Sequence, residues 1–285
     1  MDGLNILLVI LLILIVLALL IMYIDCHRIV VREYDVQSDK IHKDFTIALL
    51  TDLHGVSFGK NNIRLIKKIA SCNPDIIVIA GDMYTAYKNN DTTVPKKLIK
   101  ELSSQYPIYY ANGNHELKTQ LRPEEFGPIF ADYMKTVEGC GVHVLNNKCA
   151  LLEDENVTLC GLNLPFDYYK KGKHIEPSVE ELNGLLGKAN ESTFNICIAH
   201  NPEYFKNYAE FGADLTLSGH YHGGLMRLPF IGGFISPRYT LFPKYDYGVF
   251  YENNKTMILS CGLGTHTLPI RIFNPGELSY IKCHK

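Results

Sequence analysis

The chain has almost no excess charge of either sign: 28 Lys and Arg stand against 30 Asp and Glu in 285 residues, a formal charge of −2. That balance excludes the electrostatic footprint of a protein that grips nucleic acid by its phosphates. The chain also lacks a CxxC pair, an internal repeat and a low-complexity linker. Its eight cysteines, Cys26, Cys72, Cys140, Cys149, Cys160, Cys197, Cys261 and Cys283, are scattered and form no dense disulfide framework, although their number permits disulfides in an exported protein. Several lie in apolar strand-like runs, where a reduced cysteine packs as a small hydrophobe. No Lys or Arg precedes the first apolar run and no small-x-small site follows it, which counts against a cleaved signal peptide.

That run, Leu4 to Ile24, is interrupted only by Asn5 and carries no charge. Its length suits a helix crossing a hydrocarbon layer of ~30 Å, and an all-round apolar helix has no obvious partner at this end of the chain. Residues 1–24 are therefore read as a retained single-pass anchor in the cell membrane. Arg28, Arg32, Lys40 and Lys43 all follow the span, so the positive-inside rule places the remainder in the cytoplasm. A charged connector, residues 25–44, is expected to lead into one domain at 45–285.

From Phe45 onward, short apolar runs alternate with helical spacing. Phe45–Leu50, Asp75–Ala80 and Ile108–Ala111 each end at a polar motif, while Asn62–Ala70 and Pro123–Val137 read as helices. The alternation predicts an α/β fold with parallel central strands. Val142–Leu145, Ala150–Leu152 and Val157–Leu162 read as a strand meander. Phe194–Ala199 and Asp214–Leu217 again run into histidine motifs, and Tyr247–Tyr251, Met257–Cys261 and Leu278–Cys283 close the domain.

The chemistry lies in five short clusters: Asp52-Leu-His54, Gly81-Asp82, Gly113-Asn114-His115-Glu116, Ala199-His200-Asn201 and Gly219-His220-Tyr-His222. Each lies at or near the end of a strand-like run, where loops beyond the carboxyl edge of a sheet can converge. Gly81 and Gly113 are expected to let the backbone turn sharply before Asp82 and Asn114. Taken singly, Asp52 is better explained as a turn residue or helix cap, Asn114 as a turn former and His200 as a satisfied core histidine. Taken jointly, they offer four imidazoles, two carboxylates and an amide oxygen, with one histidine to spare. Such a set suits two divalent ions, with Asp82 able to place an oxygen on both. Nitrogen and oxygen donors without thiolate favour Mn, Fe or Zn. Two-metal centres serve hydrolysis, most often at phosphorus.

The ordered set resembles the calcineurin-like metallophosphoesterase superfamily, whose pattern runs DxH, GD, GNH[DE], H and GHxH. The resemblance implies a four-layer α/β/β/α sandwich. It also implies one metal site from Asp52, His54, Asp82 and His222, a second from Asp82, Asn114, His200 and His220, and His115 as the catalytic histidine. Gly219–Phe230 and the ending Gly262-Leu-Gly-Thr265…Leu268-Pro-Ile-Arg271 are similar to a membrane-anchored bacterial branch that includes UDP-diacylglucosamine hydrolases and envelope phosphoesterases. Tyr221 and Leu225 depart from that pattern, in which a small residue and Gln are usual.

Several features stay open. Glu116 is expected to orient its neighbours rather than to bind metal. Lys170-Lys171-Gly-Lys173 reads as a solvated turn or an attractor of anions, and His143, His174 and His266 are not expected as ligands. Leu225–Ile235 reads either as packing under the sheet or as an apolar lip to the site. The expected partners are a phosphorylated substrate, with a lipid-linked one as a candidate, and a membrane. A phosphoesterase acting on soluble substrates and a non-catalytic metal-binding scaffold are the alternatives.

Overall fold

The runs that end at polar motifs form the inner strands of two stacked sheets. The computed structural model describes residues 3–170, 175–224, 227–228, 232–234, 241–265 and 269–285. In chain order, α1 (Gly3–His27), β1 (Ile29–Gln37), β2 (Phe45–Leu50), α2 (Ile63–Cys72), β3 (Ile76–Ala80), α3 (Thr93–Ser103) and β4 (Ile108–Ala111) come first. They are followed by α4 (Asn114–Leu121), α5 (Pro123–Phe126), α6 (Ile129–Gly139), β5 (His143–Val144), β6 (Lys148–Leu152), β7 (Val157–Leu162) and α7 (Val179–Leu186). The rest comprises β8 (Phe194–Ala199), α8 (Phe205–Phe211), β9 (Leu215–Ser218), β10 (Arg227–Leu228), β11 (Gly232–Gly233), β12 (Gly248–Glu252), β13 (Lys255–Leu259) and β14 (Gly276–His284).

One sheet has the order β1-β14-β2-β3-β4-β5 and the other β12-β13-β9-β8-β7-β6, with β10 and β11 as a separate antiparallel ribbon. β2 through β5 are parallel, and so are β7, β8, β9 and β13. Parallel strands covered on both faces need continuous apolar runs, and β3, β4 and β8 are buried along their whole lengths. The edge strands β6 and β12 alternate in exposure instead.

Between the sheets, Ile47, Leu49 and Val78 meet Leu159, Ile196, Ile198 and Leu217. The outer face of the first sheet packs Leu50, Ile77 and Ile79 against Leu65 and Ile69 of α2, Leu98 of α3 and Tyr133 of α6. The outer face of the second packs Cys197 and Ala199 against Leu182 of α7 and Tyr208 of α8. The expected α/β/β/α layering is thus present. Helix α1 presents its apolar side chains outward, and Asp25 is its buried residue.

Three details differ from the sequence reading. The expected helix at Pro123–Val137 breaks at Gly127-Pro128, where Gly127 has φ +66°, into α5 and α6. The expected meander is divided between the sheets: β5 extends the first sheet beside β4, whereas β6 and β7 form an antiparallel pair in the second. Within the segment read as a connector, β1 pairs in parallel with β14 along its length and so belongs to the first sheet. The opposed residues Cys149 and Cys160 of β6 and β7 are joined as a disulfide.

Candidate metal centre

The carboxyl ends of β2, β3, β4, β8 and β9 point to one place, and every sequence-predicted site residue lies there or one turn beyond. Asp52 and Asp82 are buried, as are His54, His115, His200 and His222; His220 and Asn114 are half-buried. Asp52 N–H donates to the Gly81 carbonyl and His54 N–H to the Asp82 carbonyl, each at 3.0 Å, which ties the first two motifs together. His220 N–H donates to Asp52 Oδ2 (3.0 Å), so the last motif closes on the first.

The backbone at this junction is costly. Asp52, His54, Asp82, His220 and His222 all adopt positive φ, between 50° and 72°. Left-handed backbone costs an L-residue roughly 1–2 kcal/mol, and its concentration at functional sites is a recognised pattern. Gly81, with φ +83°, makes the expected sharp turn. Gly113 does not: its backbone is extended, and its lack of a side chain serves a close approach, because a Cβ there would overlap Asp82 Oδ1.

Glu116 has the orienting position expected of it. Its buried carboxylate accepts from the backbone N–H groups of Asp82 (2.9 Å), Met83 (2.8 Å) and Gly113 (3.0 Å) and from the Tyr110 hydroxyl (3.0 Å). One side chain thus closes the start of α4 and fixes both glycine-containing loops. Burial, and after it the nearby Asp82 charge, pushes the Glu116 carboxyl up to about 7.

The donor atoms converge closely, with Nε2 of His54 and Nε2 of His222 only 3.2 Å apart. Nε2 of His54 and of His200 lies 3.9 Å from Asp52 Oδ1, and Nε2 of His222 lies 3.5 Å from it. Nε2 of His54 and of His115 lies 3.9 Å from Asp82 Oδ2, with His200 nearer at 3.1 Å. Ligands bound at about 2.0–2.2 Å around one ion are separated from each other by such distances. Three overlapping groups could each hold a cation: Asp52 with His54 and His222, His54 with Asp82 and His115, and Asp82 with His200 and His220. Asn114 Oδ1 is buried with no hydrogen-bond partner, as suits a donor to a cation.

Hydrogen bonds on the far ring nitrogens divide the histidines. His200 Nδ1–H donates to the Ala80 carbonyl (2.6 Å), which leaves the Nε2 lone pair of the neutral ring facing the carboxylates. His115 is arranged the other way: its Nδ1 accepts from the Ala86 N–H (2.8 Å), so the neutral ring carries its proton on Nε2, toward the site. Without a cation, burial opposes the His200 charge, but Asp82 prevails and raises this imidazole to about 10. Asp82 is held well below the usual carboxylate range because His200 and His115 overcome its burial, whereas burial pushes Asp52 up to about 6.

Sequence reasoning missed several supports. Thr51 Oγ1 donates to Asp52 Oδ2 (2.7 Å), and Thr85 Oγ1 lies 3.0 Å from His54 Nδ1. The Tyr169 ring meets His220 edge-on at 5.5 Å. Buried Arg271 donates to the carbonyls of Cys261, Gly262 and Gly264, and the Gly264 N–H donates to the Asp52 carbonyl (2.7 Å). Of these, Arg271 and Gly264 carried a signal, as parts of the closing motif. Of the basic turn, Lys170 pairs with Asp167 at 2.5 Å, while Lys171, Lys173 and His174 lie outside the described residues. The same holds for His266 and for Leu225, Met226, Pro229, Phe230, Ile231 and Ile235 of the apolar stretch.

A sequence model described as calcineurin-like phosphoesterase matches residues 45–224. An uncharacterized metallophosphoesterase of Helicobacter pylori is 27% identical over 259 residues, covering 88% of this chain and 63% of its own length. The chain thus spans less than two thirds of that relative. The Bacillus subtilis metallophosphoesterase YkuE is 25% identical over 268 residues, covering 90% of this chain and 86% of its own. Among solved structures, a 5'-nucleotidase precursor from Thermus thermophilus aligns with a TM-score of 0.43 at 16% identity, over 77% of this chain and 49% of that one.

Proposed function

The chain belongs to the calcineurin-like phosphoesterase family, and from that premise we propose that it is a two-metal phosphoester hydrolase fixed to a membrane by α1. The single observation that carries the assignment of roles is the opposed tautomers of His200 and His115. His200 offers a lone pair to a cation; His115 presents an N–H, and is therefore a hydrogen-bond donor to developing charge rather than a third-group ligand. Asp52, His54, His222 and Asp82 would hold one ion, and Asp82, Asn114, His200 and His220 the other. When bound, two divalent cations lower the pKa of water and neutralise charge on a phosphoryl group. Mn, Fe and Zn all fit these donors.

The chain's own residues do the rest. Glu116 locks the loops of Asp82 and Asn114, so the ligands need little rearrangement on binding. His115, with its side chain 10% exposed, is placed to donate its Nε2–H as a hydrogen bond to a leaving-group oxygen and so stabilise the charge developing there as the ester bond breaks. A pure metal scaffold has no use for this proton-bearing imidazole, which favours the enzyme reading.

For α1, composition and placement agree. Its 25 residues have a mean hydropathy of 3.5 in their apolar window and none of that window is packed against the domain. A lipid-linked phosphodiester or pyrophosphate is then the substrate class best matched to a membrane-fixed site. Phe234 of the apolar stretch packs edge-on against Phe242, which lies beyond the stretch and, like Leu241, is more than half exposed; this apolar surface supports the lipid reading. Orientation has two opposed indications. The positive residues after the span favour the cytoplasmic side, whereas the Cys149–Cys160 disulfide favours an oxidising compartment. Protease accessibility in sealed right-side-out vesicles decides between them.

The test of function uses the full chain in detergent, stripped with chelator and reloaded with Mn, Fe or Zn. It is assayed on an aryl phosphomonoester, an aryl phosphodiester and a nucleotide-linked lipid. Metal-dependent hydrolysis with preference for the lipid is expected. Two bound ions with no turnover on any of the three would leave the scaffold reading.

A further inference from the structure

The loop that carries His222 is held from an unexpected direction. His220, His222, Gly223 and Gly224 all have positive φ, so this stretch needs external fixing. The fixing comes from Asn274, which is 1% exposed. Its Nδ2 donates to the carbonyls of His222 (2.6 Å) and Gly224 (2.8 Å), clamping the two sides of Gly223. Gly223 is shaped for this contact, because a Cβ there would stand 2.6 Å from Asn274 Oδ1.

Asn274 is itself fixed at two points. Its carbonyl accepts from Arg271 Nη1 (3.0 Å), and its N–H donates to Asp25 Oδ2 (3.0 Å). Asp25 belongs to the last turn of α1, where a carboxylate opposes the helix dipole. It is nevertheless buried, with Arg28 as its nearest cation at 3.8 Å. Immediately beside this contact, Ile21, Ile24, Arg28, Phe273 and Pro275 line a groove of about 570 Å³. Phe273 is half exposed there with φ +54°. The chain of contacts runs from the end of α1, through one asparagine, to a candidate metal ligand.

We propose that Asn274 is a positioning residue for His222, and that Asp25 holds Asn274, so that the seating of α1 on the domain sets the affinity of the His222-bearing metal site. This rests on the reading of His222 as a ligand. A ligand fixed by outer hydrogen bonds loses affinity when they are removed, on the order of 10–100-fold.

The experiment titrates full-length protein in detergent with Mn(II) alone, reading stoichiometry and the two affinities by paramagnetic resonance of free Mn(II). Variants are Asn274→Ala, Asp25→Ala and Asp25→Asn, with Asp52→Asn as a control for direct ligand loss. Asn274→Ala is expected to weaken one of the two sites on the order of 10–100-fold and leave the other unchanged. Asp25→Ala should weaken the same site by less, and Asp25→Asn should restore it, since its amide oxygen still accepts from the Asn274 N–H. Wild-type affinities in both alanine variants would overturn the proposal, as would equal weakening of both sites in step with a fall in Tm. Should Asn274→Ala fail to fold, the pair Asp25→Ala and Asp25→Asn decides alone. A wild type that takes up no Mn(II) would instead overturn the metal-centre reading beneath it.

Discussion

Replacing His115 with alanine separates holding a cation from stabilising the leaving group. The substitution removes the Nε2–H that lies 3.9 Å from Asp82 Oδ2 and leaves the Ala86 N–H without its acceptor. The second effect costs about 1–3 kcal/mol of stability, the usual penalty of a buried unpaired donor, so assays belong well below the variant's Tm. The first effect is specific to chemistry. Losing a hydrogen-bond donor to the developing charge slows turnover on the order of 10²–10³-fold, or roughly 3–4 kcal/mol of barrier. That loss applies to an alkyl phosphoester, whose leaving oxygen develops the most localised charge. Nitrophenolate spreads that charge over its ring, so an aryl ester should lose far less. The assay compares kcat on both esters with metal content of the same preparation. Equal losses on the two esters, or departure of one ion, would refute the tautomer argument and place His115 among the ligands.

Much of the centre was legible because its candidate ligands sit where strands end. β3 and β4 are uninterrupted apolar runs and β8 is interrupted only by Asn195, and the polar motif that follows each run is placed at the carboxyl edge. Local pattern alone therefore located Asp82, the Asn114 loop and His200. What failed to show were relations between distant segments. A run such as Val142–Leu145 announces a strand but not its sheet, so the crossing at Asn146-Asn147, which divides β5 from β6, could not be seen. The Cys149–Cys160 pairing appears only once β6 and β7 have a register. In α5 and α6, apolar periodicity outweighed Gly127-Pro128 in the reading, although both residues interrupt helices.

The supports of the site were the least legible part. Asp25 and Asn274 are 249 residues apart, and Asn274 and His222 are separated by 52, so no spacing rule joins them. Gly113 illustrates the same limit on a smaller scale. A glycine before Asn114 invites a positive-φ explanation, yet the constraint is the Asp82 carboxylate from another loop. The left-handed geometry at Asp52 and His222 is likewise imposed by convergence. Asp and His tolerate this region better than most residues but do not require it, and only the assembled junction makes the strain worth bearing.

Asp82→Asn should abolish activity and lower bound metal from two ions toward one, because its carboxylate is proposed to touch both; full metal content with normal turnover would exclude the shared role. Saturating Mn(II) should raise Tm in the chelator-stripped chain, since an ion held at 100 times its Kd contributes about 2.7 kcal/mol; an unchanged melt would argue against a cation at this centre. Asp214 accepts from Lys40, Lys255 and the Asn195 N–H, and although burial opposes it, these donors hold its carboxyl below the usual 3.8. Its contribution is therefore present above pH 3.8 and lost as pH falls through the lower folded value, so Asp214→Asn should cost about 1.5–3 kcal/mol at pH 7 and little in strong acid by denaturant titration. Finally, His200 is raised to about 10 in the metal-free protein, so at pH 7.5 its ring is protonated and a cation must displace that proton. Calorimetry of Mn(II) binding should show a heat that changes with the ionisation enthalpy of the buffer and an affinity that rises with pH; identical heats in all buffers would mean that no proton leaves on binding and would refute the displacement of a proton from His200.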